Sequence, residues 1–368
     1  MFSGKLQPLR GGLYSVDPDS SAAGQTVPCL SVRSAVKGDV FYCPTADAIV
    51  YDRTYLERLA EQYSDLDVAM TLAHEFGHAL QRRFPTGGTK SITEETQADC
   101  YAGTWAAWAA GGNASHVAFA AGDLDRTLGD YVWEMGDPVG TDPNHRDAHG
   151  SVFDRVSALQ EGFVDGPRSC ATDFPDARPF VSMAFTATDS STDGKGNLSF
   201  ATAVSQGTTL LQQFWTTQFT AARRPFTAPV VAVEPADCAR TLLIALCPDG
   251  RTVGLGPLAP LTTNHDRFGD FSTVTALGLG YAESVQQQGG LPAGPAARIC
   301  STGAFAASLF HRTPAVLSPG DLDEAVKFLL LAGAGNPVVD TGTVTAWQRL
   351  DAFRTGVVDG PTGCAQLG

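Results

Sequence analysis

His74, Glu75 and His78 stand in the order His-Glu-x-x-His within MTLAHEFGHALQRRF, residues 70–84. Apolar residues at 69, 72, 73, 76, 79 and 80 have helical spacing. Ser64 is a candidate N-cap with Asp67 in the first turn, and Pro85 followed by Gly87-Gly88 ends the run. On that helix His74 and His78 lie on one face, one above the other, where two imidazoles can converge on a single ion. Glu75 sits about 100° further round, beside the ion but not forced onto it, the place for a base acting on a metal-activated water. Gly77 in the helix interior costs ~1 kcal/mol relative to Ala, so a close packing contact is expected beneath it.

Two histidines do not complete a catalytic zinc site, which takes three protein ligands and leaves a fourth position open. The stretch SITEETQADCYAGTWAAWAAGG, 91–112, supplies the third. Ser91 and Glu94 fit a capping box, and Gly111-Gly112 stop the helix. Glu95 comes 17 residues after His78, far enough for a turn and an antiparallel helix to bring it to the metal. Asp99, one turn on, is placed to accept the outward N–H of a ligating histidine. Glu95 is preferred over Glu94 because only Glu95 has an Asp at i+4.

The elements that must position these residues belong to a chain of 368 residues, long enough for two or three domains. With 43% hydrophobic and 17% charged residues the composition is that of a globular protein. A net charge of −14 argues against a nucleic-acid partner. Residues 1–175 carry 13 basic and 24 acidic residues, net −11, so the acidity lies with the motif. The longest apolar run, near FLLLAGAG, falls short of the ~18 residues a membrane span needs. MFSGKLQPLR has no apolar core or cleavage site, so the start does not read as a signal peptide.

The chain repeats itself. Gly162, Val164-Asp165-Gly166-Pro167 and Cys170 match Gly356, Val358-Asp359-Gly360-Pro361 and Cys364 at an offset of 194. GDLD at 122–125 returns at 320–323, Cys100 aligns with Cys300, and YCP at 42–44 with LCP at 246–248. Order is kept and the offsets drift smoothly, as in two diverged copies of one domain. The expected organisation is 1–175 as the first copy, 176–205 as a linker and 206–368 as the second. Each cysteine has a counterpart, and none forms a CxxC pair. Four cysteines per copy allow three pairings; the preferred set closes one short loop and one long one. It joins Cys29 to Cys43, Cys100 to Cys170, Cys238 to Cys247 and Cys300 to Cys364. Such bridges imply an oxidising compartment, hence an extracellular or cell-envelope location. TTLLQQFWTTQF, 208–219, reads as a helix leading the second copy, and Phe219 stands six residues before Pro225 as Phe2 does before Pro8. A matching helix, with a signal or membrane anchor, is therefore expected upstream of residue 1.

AHEFGHALQ, ETQADCYAGTW, GDLD and HGSVFDRVSALQEGFVDG before a Cys together resemble the bacterial neutral zinc metallopeptidase family over residues 8 to about 175. The resemblance implies an α+β, predominantly α-helical zincin-like domain that hydrolyses peptide bonds with one Zn2+. It implies His74, His78 and Glu95 as ligands and Glu75 as the base. His149 falls at the family's Thr-His-Gly position, although Ala148 replaces the Thr and Asp154 stands where the family has Gln. His149, with Gly150 beside it, is the preferred oxyanion donor; His145 is the other candidate. Arg155 is expected in a structural salt bridge, because Arg349 persists at its place in the second copy.

In that second copy His74 aligns with Leu277, Glu75 with Gly278, His78 with Tyr281, Glu95 with Pro295, Asp99 with Ile299 and His149 with Thr343. The second copy is thus expected to be a degenerate pseudopeptidase without zinc, packed on the first. The reading is a secreted or cell-surface zinc metallopeptidase acting on a peptide or protein. Its rival is a non-enzymatic envelope scaffold or binding protein with a structural or relic zinc site.

Overall fold

The computed structural model describes residues 7–20, 26–117, 119, 121–181, 185, 197–238, 242–310, 317–331 and 338–367. The chain is mixed α/β and mostly helical, with small sheets, and it divides into units at residues 1–183 and 184–368.

In the first unit, β1 (Gly12–Val16) pairs parallel with β3 (Ala48–Asp52), and β2 (Val40–Cys43) runs antiparallel to β3. β2 is therefore a sheet edge. Asp52 ends β3 and caps α1 (Arg53–Gln62) by accepting the N–H groups of Thr54 and Tyr55. Leu56 and Leu59 of α1 are buried against Val40 and Ile49 of the sheet and against Ala79. Ser64 caps α2 (Asp65–Arg83) by accepting the Asp67 N–H. Asp65 and Asp67 lie in its first turn and Arg82 and Arg83 in its last, each sign opposite to the helix dipole it faces.

Next come α3 (Ser91–Ala110), α4 (Ala121–Met135), α5 (Val152–Asp165) and α6 (Pro167–Thr172). The capping box expected from Ser91 and Glu94 does not form. The N-cap of α3 is Lys90, without a side-chain bond, and Asp176 instead accepts the N–H groups of Thr89 and Lys90. Gly77 does meet the close contact its cost demanded. A Cβ there would lie 2.8 Å from the Ala98 Cα, so α2 and α3 touch backbone to backbone. α3 and α5 cross as closely, with Gly162 set against the Cys100 carbonyl.

The second unit opens with α7 (Phe200–Ala221), capped by Ser199. Its sheet has β4 (Val230–Val233) parallel to β6 (Thr252–Leu255) and β5 (Ile244–Leu246) antiparallel to β6, the strand order and senses of the first unit. Helices α8 (Leu258–Phe268), α9 (Asp270–Gln287), α10 (Pro295–Phe310), α11 (Asp321–Leu331) and α12 (Ala346–Cys364) follow. Gly356 meets the Cys300 carbonyl as Gly162 meets that of Cys100. The chain turns through a positive φ at Gly360 as it does at Gly166.

The linker expected at 176–205 is corrected at both ends. Asp176 caps α3, Phe180 is buried with Ile92 and Ala148, and the Val181 N–H is accepted by Asp154, so the first unit extends past 175. α7 already occupies 200–205. Most of the stretch between, and Phe2 with the helix expected upstream of residue 1, lie outside the described residues. The four cysteine pairs are bonded as expected: Cys29–Cys43, Cys100–Cys170, Cys238–Cys247 and Cys300–Cys364. They suit an oxidising compartment. Among the described residues no helix is long and apolar enough to cross a membrane.

Candidate metal centre

α2 presents His74 and His78 on one face with rings nearly perpendicular, at 89°. The contact of Gly77 with Ala98 holds α3 close enough for Glu95 to reach both. The Glu95 carboxylate lies 3.1 Å from His74 Nε2 and 3.5 Å from His78 Nε2, and the two Nε2 atoms are 3.2 Å apart. Zinc bonded to nitrogen and oxygen at 2.0–2.2 Å in a tetrahedron requires donor separations of about 3.3–3.5 Å. The spacing therefore fits the ion.

The tautomers fit as well. His74 Nδ1 is 2.8 Å from Asp99 Oδ1, and a carboxylate can only accept, so Nδ1 carries a proton and Nε2 is the atom left to face Glu95 and His78. His78 Nδ1 donates to Gln81 Oε1 at 2.9 Å; the Gln81 amide nitrogen donates in turn to the Glu94 carbonyl, which fixes the side chain. Both Nε2 atoms thus converge with the Glu95 carboxylate, a group of three donors that could hold a metal ion.

The surrounding carboxylates dominate the electrostatics of the group. Burial disfavours charge on His74, yet Asp99 and Glu95 outweigh it and hold its pKa up at about 10. Burial also works against the Glu95 carboxylate, and the two histidines hold it well below its ordinary range. Asp99 is fully buried but stays ionised, because Arg155 donates to both of its oxygens at 2.8 and 2.9 Å and His74 adds a further bond. A chain of contacts therefore runs from Arg155 on α5 through Asp99 on α3 to His74 on α2. The salt bridge expected of Arg155 is present, and it orients a candidate metal ligand. Arg349 is not its equal: with Ile299 in place of Asp99, it donates to the carbonyls of Leu329, Leu330 and Val344.

Glu75 is buried, and burial pushes its carboxyl up against the pull of the two histidines. Its Oε2 accepts the backbone N–H of Tyr42, on edge strand β2, at 2.7 Å. Glu75 also lines a cavity of about 850 Å³ together with His74, His78, Glu95 and His149. His149 is thus brought to the site, from the loop before α5. Asp137 binds both its backbone N–H, at 2.7 Å, and its Nδ1, at 3.2 Å, and this second bond raises the imidazole pKa. His145, the alternative, is an exposed loop residue beside Asp147 and does not line the cavity.

Sequence reasoning missed Gln81, Asp137 and the Tyr42 N–H. Gln81 had a signal, standing three residues after His78 on the same helix face. Asp137 and Tyr42 come from distant segments and had none. In the second unit, Leu277 and Tyr281, which align in sequence with His74 and His78, are fully buried. That unit has a convergent group of its own, Asp270, Asp321 and Glu324, with oxygen donors only. The Asn197 amide, with its nitrogen turned inward, donates to Asp270 and Glu324 at 3.0 and 2.9 Å.

No protein family, curated protein or solved structure matches the chain.

Proposed function

We propose that the chain is a zinc-dependent metallopeptidase, its centre built from His74, His78 and Glu95 in the first unit. The observation that carries this reading is the convergence of His74 Nε2, His78 Nε2 and the Glu95 carboxylate at zinc spacing, with both Nδ1 atoms held by neighbouring oxygens, beside a cleft that Glu75 also lines. A structural zinc would need no second acid, whereas Glu75 stands beside the three ligands and faces the cleft. The motifs AHEFGHALQ and ETQADC, and their resemblance to neutral zinc metallopeptidases, support the same reading.

Zinc held by His74, His78 and Glu95 would supply Lewis acidity toward a substrate carbonyl and an attacking water. Glu75, with one oxygen on the Tyr42 N–H, would serve as the base toward that water and then as the acid toward the leaving amine. His149, held by Asp137, donates to the oxyanion as the carbonyl carbon becomes tetrahedral. Asp99, steadied by Arg155, keeps the His74 proton on Nδ1 and so keeps Nε2 free for the ion.

The second unit, with the same strand order and helix crossing, reads as a degenerate copy without this chemistry. With four disulfides, the protein belongs outside the cell or in its envelope. The second unit also favours one specific rival, a non-enzymatic envelope scaffold, because there the fold stands with Leu277 and Tyr281 where the histidines would be. Elemental analysis together with a hydroxamate titration separates the two. One zinc per chain and saturable hydroxamate binding are expected of the enzyme. Zinc that no hydroxamate reaches, with no peptide cleaved, would decide for the scaffold.

A further inference from the structure

We infer that the cleft selects peptides carrying lysine or arginine beside the scissile bond, with Asp39 and Glu94 as the selecting carboxylates. The inference rests on the peptidase reading of the same site and names its substrate class.

Charge around the cleft does not balance once the centre is complete. A divalent ion would be offset by Glu75 and Glu95. Arg155 is engaged with Asp99, and Asp67 is taken up by hydroxyls of Ser64 and Thr127. What remains on the lining is Asp39, Glu94 and the exposed Arg82.

The two carboxylates flank the centre on different elements. Asp39 leads into edge strand β2, whose Tyr42 N–H holds Glu75, and one Asp39 oxygen takes the Val40 N–H at 2.8 Å. Glu94 precedes the ligand Glu95 in the first turn of α3. It is exposed, and because Asp176 has replaced it at the helix cap, its side chain is left to the cleft. Among the described residues, neither acid forms an ion pair with an arginine or lysine.

The lining also supplies an apolar wall. Val40, Tyr55, Leu59 and Tyr63 face the same cavity. A lysine or arginine lays its methylene stem on such a surface and carries its charge to the edge, and a tyrosine face adds attraction for the cation. The net −11 of residues 1–175 draws a basic chain in from further away.

The test uses the full-length chain carrying Glu75→Gln, loaded with zinc. Three fluorescein-labelled peptides, identical except for Lys, Gln or Glu at the two central positions, are titrated by anisotropy at low salt. The Lys peptide should bind about tenfold tighter than the Glu peptide, with Gln between them. Asp39→Asn and Glu94→Gln should each narrow that ratio, whereas Glu57→Gln, on α1 outside the cavity lining, should leave it intact. Equal binding of the three peptides, or a ratio untouched by Asp39→Asn and Glu94→Gln in zinc-loaded protein, overturns the inference. Turnover of the same peptides by the unaltered chain is scored separately. A Lys preference in binding with no peptide cleaved would end the peptidase reading and leave the selectivity of the cleft standing.

Discussion

The Glu75 carboxylate accepts the backbone N–H of Tyr42 at 2.7 Å, joining the acid of the His-Glu-x-x-His motif to the exposed edge of the sheet. Glu283 does the same in the second unit, accepting the Leu246 N–H at 3.0 Å from a different position on its helix. A carboxylate on the edge strand therefore has a structural part separate from chemistry. Glu75→Gln keeps an oxygen for Tyr42 and should retain both fold and zinc while turnover falls about 10²–10⁴-fold. Glu75→Ala should in addition lose about 1–3 kcal/mol of stability through the orphaned N–H. Thermal melts beside peptidase assays separate the two losses; equal melting of both variants would remove the structural part.

Asp99 reaches no substrate, yet it sets the His74 tautomer. Asp99→Asn should weaken zinc binding about 10–100-fold. Arg155→Met should act in the same direction, since Asp99 would then lie buried beside His74 alone. Competition with a chromogenic chelator reads both. Unchanged affinity in both variants would show that His74 needs no support from behind.

Zinc also bears on stability, because an ion that binds only the folded state stabilises it. Chelation should lower the melting transition of the first unit, and zinc should restore it. The three ligands lie on α2 and α3, so a loss confined to the second unit's transition would contradict the assigned site.

Asp270, Asp321 and Glu324 make the second unit sensitive to pH. Burial and the neighbouring acids push Asp321 up to about 7 and Glu324 to about 9. An unfolded carboxyl titrates near 4, so between about pH 4 and 9 the folded state holds the extra protons. Their contribution is whole in acid and is lost as pH rises through 7 and then 9. Calorimetry of the full chain from pH 5 to 9 should show the second unit's transition falling, and Glu324→Gln should flatten that slope. A transition that strengthens with pH would reverse the assignment.

What could be read without coordinates was whatever a helix period or a repeat enforces. Residues at i and i+4 share a face whatever surrounds them, so His74, His78 and the pair Glu95–Asp99 were legible. The cysteine pairing was legible as the choice that closes one short loop and one long one at matching positions in each half of the chain. The cap of α3 was not legible: Ser91 and Glu94 satisfied a local rule, but Asp176, distant in sequence, took the backbone N–H groups. The same long-range contact moved the boundary of the first unit past 175. Asp137 beneath His149 and Tyr42 beside Glu75 depend on a loop and a strand edge meeting the cleft, and no periodicity encodes such meetings.

The run from Arg155 through Asp99 to His74 has a bearing on time. A ribosome delivers His74, Glu75, His78 and Glu95 well before Arg155, and Cys170 later still. Until α5 docks, Asp99 lacks the guanidinium that keeps it ionised in the interior, and the His74 proton has no fixed seat. If the site takes zinc, the nascent chain would carry every proposed ligand before Asp99 is steadied, and full affinity would wait until α5 has crossed α3 and the Cys100–Cys170 bridge can close. On the metallopeptidase reading, delivery of the ligands and completion of the site are then separate events in time, tied to one helix crossing and one disulfide.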